Sequence, residues 1–241
     1  MRLEGNTTHR QQQNVILLVT LMFVIIIPAI IPYVRADNTN PGVFSIDSKP
    51  YGISYAEWTG RWWQWALSIP KDTNPAADNT GKNCAVNQNG PVWFLAGTFG
   101  GPAERSCTIP AGKAVLFSPI NSECSYAEFP NLKTEADLRA CAKTQEDHVT
   151  SMQVTVDGVT MKDLDKYRLQ SPLISFIFPK NNVVGVPAGQ TQGISDGRWV
   201  FLQPLAPGKH EIHFTGASQD VTTTGTQNFA DEATYHLTVN P

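Results

Sequence analysis

Glu57 and Glu123 are the carboxylates of this sequence that could perform acid–base chemistry. Glycoside hydrolases use two carboxyl groups roughly 5–10 Å apart to protonate the leaving oxygen and to attack the sugar or activate water. Glu57 stands three residues after Ser54, where it would close a capping box at a helix N-terminus, and Glu123 precedes Cys124. Their positions fix no separation, so a glycan- or envelope-directed hydrolase using this pair is the alternative interpretation of the sequence.

Four residues near the C-terminus have side chains that suit a metal ion: His210, Glu211, His213 and His236. In a strand His210 and His213 point to opposite faces, so they cannot share one ion. His213 and His236 on neighbouring strands could hold copper or zinc together with Glu211. Solvent-facing strand histidines are the simpler interpretation, and we predict no metal and no cofactor. The sequence also contains no nucleophile elbow, P-loop or dinucleotide-binding glycine motif.

Uncharged amide side chains supply the remaining candidate chemistry. We predict a loop from Lys180 to Gly197, and so long a connection is usually functional or disordered. Amides both donate and accept hydrogen bonds, which suits a neutral polar ligand such as a glycan. We expect nearby aromatic side chains to extend this surface. The predicted ligand-binding residues are Trp63, Asn181, Asn182, Gln190, Gln192 and Trp199.

The N-terminal segment indicates export. Arg2 and Arg10 precede an apolar run over residues 15–31, and polar residues begin at Asp37. This order is typical of a signal peptide, here residues 1–36. The apolar run is long for a signal peptide and short for a membrane span, so a retained N-terminal anchor is the alternative. In that case residues 15–31 would be the contact with the membrane, and either outcome places the rest outside the cytoplasm, as a secreted, periplasmic or cell-surface protein.

The four cysteines agree with export, because an even number in an exported chain predicts disulfides. They form no C-x-x-C pair and the histidines lie elsewhere, which argues against zinc. Of the three pairings we predict Cys84–Cys107 and Cys124–Cys141. The first ties a loop at 70–90 to the following strand, and the second ties an irregular segment at 121–130 to a helix.

Two helices and about eight strands must position these residues. The capping box opens a helix from Tyr55 to Ser68. Residues at three- and four-residue steps form one buried, mainly aromatic stripe: Tyr55, Trp58, Trp62, Trp65 and Ile69. Trp63 points off that stripe. A second helix runs from Thr134 to about Asp147.

The strands carry turn signals at short spacing and do not alternate with helices. We therefore predict a mainly β fold, a single β-sandwich that is immunoglobulin-like or jelly-roll-like, over residues 37–241. The helices and disulfides fall within 37–150. We expect one strand region from Tyr167 to Phe178 and a polar loop from Gly216 to Asn228.

Composition excludes one class of partner. The formal net charge is −3 and no basic run occurs, so we predict no nucleic-acid binding, which needs concentrated positive charge. Hydrophobic residues make up 41% of the chain, enough for a globular core.

Four segments resemble a group of uncharacterised exported bacterial and archaeal proteins. They are Tyr-Gly-x-Ser-Tyr-x-Glu-Trp at 51–58, Arg-Trp-Trp-Gln-Trp-Ala at 61–66, Gly-Pro-Val-Trp-Phe-Leu-Ala-Gly at 90–97 and Gly-Lys-His-Glu-Ile-His-Phe at 208–214. The resemblance spans most of the chain after residue 36 and implies no activity. With no catalytic motif found, we interpret the chain as an exported, non-catalytic binding or interaction protein whose partner is a small molecule or glycan.

Removal of residues 1–36 can be tested directly. We expect protein purified from its native host to begin at Asp37, because Val34 and Ala36 occupy the two positions that signal peptidase reads. Intact mass spectrometry measures this. A mass that includes residues 1–36 would identify an anchored protein instead.

Overall fold

The computed structural model describes residues 1, 40, 42–222 and 225–241, with the side chains of 220–222 and 225–227 left undescribed. Apart from its first residue, the predicted signal peptide lies outside this range. From residue 40 onward the described residues belong to one compact unit, which is mainly β and contains two α-helices. Among these residues, no helix combines the length and apolar character needed to cross a membrane.

The strands form two mixed sheets. Those of the first sheet are β1 Val92–Phe94, β3 Ala114–Ser125, β6 Arg168–Gln170, β7 Ile174–Phe178 and β8 Gly189–Leu202. Its order is β1-β3-β8-β6, and β7 also pairs with β8. β1 runs parallel to β3, while the other pairs are antiparallel. The long strand β8 therefore pairs with three strands, β3, β6 and β7.

The second sheet contains β2 Gly101–Pro110, β4 Val149–Val156, β5 Val159–Thr160, β9 Gly208–Thr222 and β10 Gly225–Asn240. Its order is β2-β10-β9-β4-β5, with β2 parallel to β10. β4 and β5 form a hairpin at Asp157 and Gly158, as the Asp-Gly pair predicts. Both of these residues have positive φ, the conformation that such a two-residue turn requires.

Side chains from both sheets meet in one hydrophobic cluster. It includes Phe117 of β3, Val200 of β8, Phe214 of β9 and Tyr235 of β10. The Phe117 and Phe214 rings stack with centroids 5.1 Å apart. Alternate residues of β3 and β8 point into this cluster, and the residues between them point to the opposite face of the first sheet.

Helix α1, Tyr55–Ser68, covers that opposite face. The predicted capping box is confirmed, since the Glu57 backbone N–H donates to Ser54 Oγ and the Ser54 N–H donates to the Glu57 carboxylate. Trp58, Trp62 and Trp65 are buried, as predicted. Each indole N–H donates a 2.9 Å hydrogen bond to a backbone carbonyl outside the helix, namely that of Pro50, Leu95 and Val86 respectively.

Both disulfides form as predicted, Cys84–Cys107 and Cys124–Cys141. The second connects β3 to helix α2, Glu135–Asp147, whose N-cap is Thr134. Helix α2 packs Leu138 and Ala142 against Ile194 of β8. It therefore lies on the face of the first sheet opposite α1.

Several predicted loops are wrong. Residues 189–197 belong to β8, so the loop covers residues 179–188 rather than 180–197. Residues 121–125 continue β3, and the 167–178 region is divided into β6 and β7 around Pro172. The predicted loop at 216–228 is instead the paired end of β9 and β10. These strand ends contain Gly, Ser, Thr or Gln instead of alternating apolar residues, so their pairing leaves no period-two signal.

Truncating Trp62 tests the packing of α1. We expect Trp62→Ala to lower the free energy of unfolding by about 3–5 kcal/mol, because it removes a buried ring and leaves the Leu95 carbonyl unpaired. Trp63→Ala, at a half-buried position whose N–H bonds to no protein atom, should cost clearly less. Urea unfolding measures both, and equal losses would contradict this assignment of the helix faces.

Candidate functional site

A cavity of about 100 Å³ opens between α1, β3 and β10, and we call it the aromatic cavity. Its principal lining residues are Trp62 and Trp63 of α1, Phe99 of the segment after β1, Asn121 of β3, and Phe229 and Asp231 of β10. These residues come from four separate parts of the chain. The fold therefore gathers three kinds of side chain at one place: aromatic rings, an amide and a carboxyl group.

Two rings of this cavity are exposed although they are large and apolar. Phe99 is 55% exposed and Phe229 is 40% exposed. Among the described residues the only other exposed aromatic side chain is Tyr51. Single exposed apolar residues are common, but two phenylalanines that line one cavity together with Trp63 suit contact with a ligand.

The carboxyl group of Asp231 is held by the segment that follows β1. The Thr98 backbone N–H donates to Asp231 Oδ1 at 2.8 Å, and the Thr98 hydroxyl lies 3.1 Å from the same oxygen. A Cβ on Gly97 would lie 2.0 Å from Asp231 Oδ2, so only glycine permits this approach. Burial raises the pKa of Asp231 to about 6, and the Thr98 hydrogen bonds and the charge of Arg105 offset only part of that effect.

Arg105 of β2 fixes the backbone beside this carboxyl group. The buried guanidinium donates to the carbonyls of Asp78 and Gly97 at 2.7 and 3.0 Å, and to the Tyr235 hydroxyl at 2.7 Å. Hydrogen bonds to a buried cation are strong and fix geometry. Arg105 therefore orders the short segment that carries Thr98 and Phe99.

A line of buried polar groups continues inward from Asn121 along β3 and β8. Glu123 of β3 is opposite Ser195 of β8 and is 7% exposed. Four buried atoms here have no hydrogen-bond partner in the protein: Glu123 Oε1, Ser195 Oγ, Trp63 Nε1 and Trp199 Nε1. We call these four groups the polar row. A buried polar atom without a partner costs about 1–3 kcal/mol, so the row is unusual for a packed interior.

Glycines of β8 make the room for these groups. A Cβ on Gly193 would lie 2.1 Å from Glu123 Oε1, and a Cβ on Gly197 would lie 3.0 Å from Trp199 Nε1. Burial, together with the neighbouring Glu128 carboxyl, raises the pKa of Glu123 well above its usual range. This shift favours the protonated form of the Glu123 side chain, which can donate as well as accept a hydrogen bond.

The residues predicted to bind ligand do not all meet at this site. Trp63 lines the aromatic cavity. Trp199 is fully buried, so the prediction that its ring would extend a binding surface is wrong. Asn182 is buried and organises its own loop by bonding to the carbonyls of Pro179 and Val186.

The other three predicted amides lie away from the lining of the aromatic cavity. Asn181 donates to Asp72, and Gln192 donates to the Ser175 hydroxyl. Gln190 is exposed near the start of β8.

The other sequence candidates also have local partners. Glu57 is exposed, and its hydrogen bonds to Ser54 lower its pKa, so it serves the helix cap. His210 pairs with Asp157 at 2.8 Å and His236 with Glu104 at 3.0 Å.

His213 bonds the Thr234 hydroxyl at 3.0 Å, and Glu211 lies 3.5 Å from His236. Within the described part of the chain, no three His, Cys, Asp or Glu residues are arranged to hold a metal ion.

Asn121, Phe99, Phe229 and Asp231 were missed by sequence reasoning. None of the four belongs to a motif or a periodic pattern in the sequence. The one nearby sequence feature is the glycine-rich run Gly-Thr-Phe-Gly-Gly after β1, which contains Phe99. Comparison of the chain with protein-family models, curated proteins and solved structures gave no match. Function must therefore be argued from the chemistry of the site itself.

Asp231 should give the folded protein a measurable pH dependence. Its folded pKa of about 6 exceeds the ordinary value of 3.8, so the folded state binds more protons between these values. Stability therefore falls as pH rises through that window. The ionisation of Asp231 should lower the free energy of unfolding by about 3 kcal/mol between pH 4 and 7, at about 1.4 kcal/mol per unit of pKa difference. Asp231→Asn should remove that part of the pH dependence.

Urea unfolding at several pH values between 4 and 7 measures the difference between the two proteins. Glu146, whose pKa is also about 6, titrates in both and cancels. The same substitution at the exposed Asp47 is the control. Parallel curves for Asp231→Asn and the unchanged protein would show that the carboxyl group ionises without penalty.

Proposed function

We propose that this chain is an exported, non-catalytic binding protein for a neutral, hydroxyl-bearing ligand of the glycan class, and that the aromatic cavity is its site. The observation that carries the proposal is the grouping of Trp63, Phe99 and Phe229 around Asn121 and Asp231. Aromatic rings contact the apolar face of a sugar ring. The amide and the carboxyl group offer hydrogen bonds to its hydroxyls.

Charge supports a neutral ligand over a phosphate or another anion. No Lys, Arg or His lines the aromatic cavity, and Asp231 would repel an anion once it is ionised. Binding is favoured over hydrolysis because Asp231 is the only carboxylate of that lining, whereas hydrolysis by the usual mechanism requires two. Glu57 and Glu123, the pair considered from the sequence, do not line it.

Export and architecture are part of the same proposal. The sequence of residues 1–36 supports export, and two disulfides suit an oxidising compartment. The hydrophobic cluster shared by both sheets supports a β-sandwich arrangement, with α1 on the outer face of one sheet.

Removing an exposed ring tests the proposal. In a glycan array followed by titration calorimetry, we expect Phe229→Ala to weaken binding about tenfold, the effect of losing 1–2 kcal/mol of contact. Phe229→Tyr should retain binding because the ring face remains.

Ile177→Ala is the matched control, since Ile177 is 62% exposed but lies on β7 outside the cavity. Its binding should equal that of the unchanged protein. Equal binding by Phe229→Ala would place the ligand elsewhere, and no binding to any glycan would remove the proposal.

A further inference from the structure

The aromatic cavity has an exposed outer end and a buried inner end. Phe99 and Phe229 are the exposed rings of its lining, so they flank the opening. Further in, the residues that α1 and the short helix Pro75–Ala77 contribute are buried and apolar, among them Ala66, Leu67 and Ala76. This part of the lining can therefore cover an apolar group of a ligand, such as a methyl group, and remove it from water.

Two polar side chains line the same cavity from the strands, Asp231 of β10 and Asn121 of β3. A carboxyl group can accept about four hydrogen bonds, and Thr98 supplies two to Asp231, both at Oδ1. The carboxyl group can therefore accept another. No described residue hydrogen-bonds the side-chain amide of Asn121, which can both donate and accept.

The size of the cavity limits what can enter it. Its volume is about 100 Å³, which corresponds to roughly three water molecules at about 30 Å³ each. A side group of about four non-hydrogen atoms fits such a space, whereas a whole sugar ring is too large. A sugar must therefore leave its ring at the exposed phenylalanines and insert only a substituent.

We propose that the aromatic cavity receives the acetamido group of an N-acetylated sugar. The methyl group lies against Ala66, Leu67 and Ala76. The N–H donates to the Asp231 carboxyl group, and the carbonyl oxygen accepts from the Asn121 side chain. This inference rests on the proposed function and names the kind of sugar that the same site binds.

An acetamido group fits this lining better than other sugar substituents do. A hydroxyl group has no apolar part to cover the two alanines, and a carboxylate or sulfate meets no Lys, Arg or His in the lining. The methyl group of a 6-deoxy sugar is bonded directly to the ring, so it cannot reach the inner end while the ring stays at the opening. The acetamido group combines a donor, an acceptor and a methyl group in one unit that projects from the ring.

The test uses the full chain and matched pairs of sugars. Titration calorimetry compares the methyl glycosides of N-acetylglucosamine and glucose, and those of N-acetylgalactosamine and galactose. We expect at least one N-acetylated sugar to bind on the order of tenfold more tightly than its parent sugar, from one buried methyl group and the added hydrogen bonds. Rhamnose, which has a methyl group without an amide, and N-acetyllysine, which has an acetamido group without a sugar ring, should both bind more weakly.

Two variants of the lining test the proposed contacts. Ala66→Leu fills the inner end and should abolish the preference for the N-acetylated sugar. Asn121→Ala removes a hydrogen bond to the acetamido group and should weaken its binding on the order of tenfold. Ala136→Leu, the same kind of change at an exposed position of α2, is the matched control and should keep the preference. Melting temperatures show which variants are folded, and if Ala66→Leu is not, Asn121→Ala and the sugar pairs decide.

The results separate this inference from the proposed function. If both sugars of each pair bind equally and Phe229→Ala weakens their binding, the proposed function stands and the acetamido group is refuted. A folded Ala66→Leu that keeps the preference would place the methyl group elsewhere and refute the inference as well. N-acetyllysine binding as tightly as the N-acetylated sugar would show that the sugar ring contributes nothing, which overturns the glycan class. If no sugar binds, the proposed function fails and this inference fails with it.

Discussion

The contact between α1 and the first sheet is the interaction on which the rest of this structure depends. Trp62 packs edge-on against Trp199 of β8 and donates its N–H to the Leu95 carbonyl just beyond β1. One side chain thus joins the helix to two segments that are far apart in sequence. Because large aromatic rings bury 150–250 Å² each, a few such contacts supply much of the energy that holds α1 in place. The aromatic cavity exists because α1 is held there.

On the other face of β8, ion pairs accompany the apolar contacts with α2. Arg198 donates to Glu146 of α2 at 2.8 Å, and Arg168 pairs with Asp196 at 3.0 Å. Burial raises the pKa of Glu146 to about 6 in spite of its partners, so keeping this charge in the interior is costly. Buried ion pairs contribute little net stability but disfavour other arrangements when one partner is misplaced. Arg168 also pairs with Asp147 at the end of α2 at 2.7 Å, so both arginines tie α2 to the first sheet, while the disulfide Cys124–Cys141 limits how far α2 can separate from β3.

Patterns within short stretches of sequence correctly predicted helix α1 and the two disulfides. The Ser54–Glu57 capping box and the tryptophan spacing located α1, and the order of the cysteines led to both disulfides. The strand β8 was mistaken for a loop at its first half, since Gly193, Ser195 and Gly197 read as turn residues. The glycines lie there because neighbouring side chains occupy the space of a Cβ, a reason that exists only in three dimensions.

The candidate site could not be predicted from the sequence, because its residues come together only in the folded structure. Phe99, Asn121 and Asp231 are single residues of three distant segments, and no spacing within the chain relates them. What distinguishes the site is its set of local conflicts: exposed phenylalanines, a buried carboxyl group, and polar atoms with no partner. Buried polar groups without partners lower stability, and conflicts of this kind occur most often at functional sites. Trp63, Phe99, Phe229 and Asp231 all line one cavity, and this grouping is an argument for a ligand that is independent of any motif.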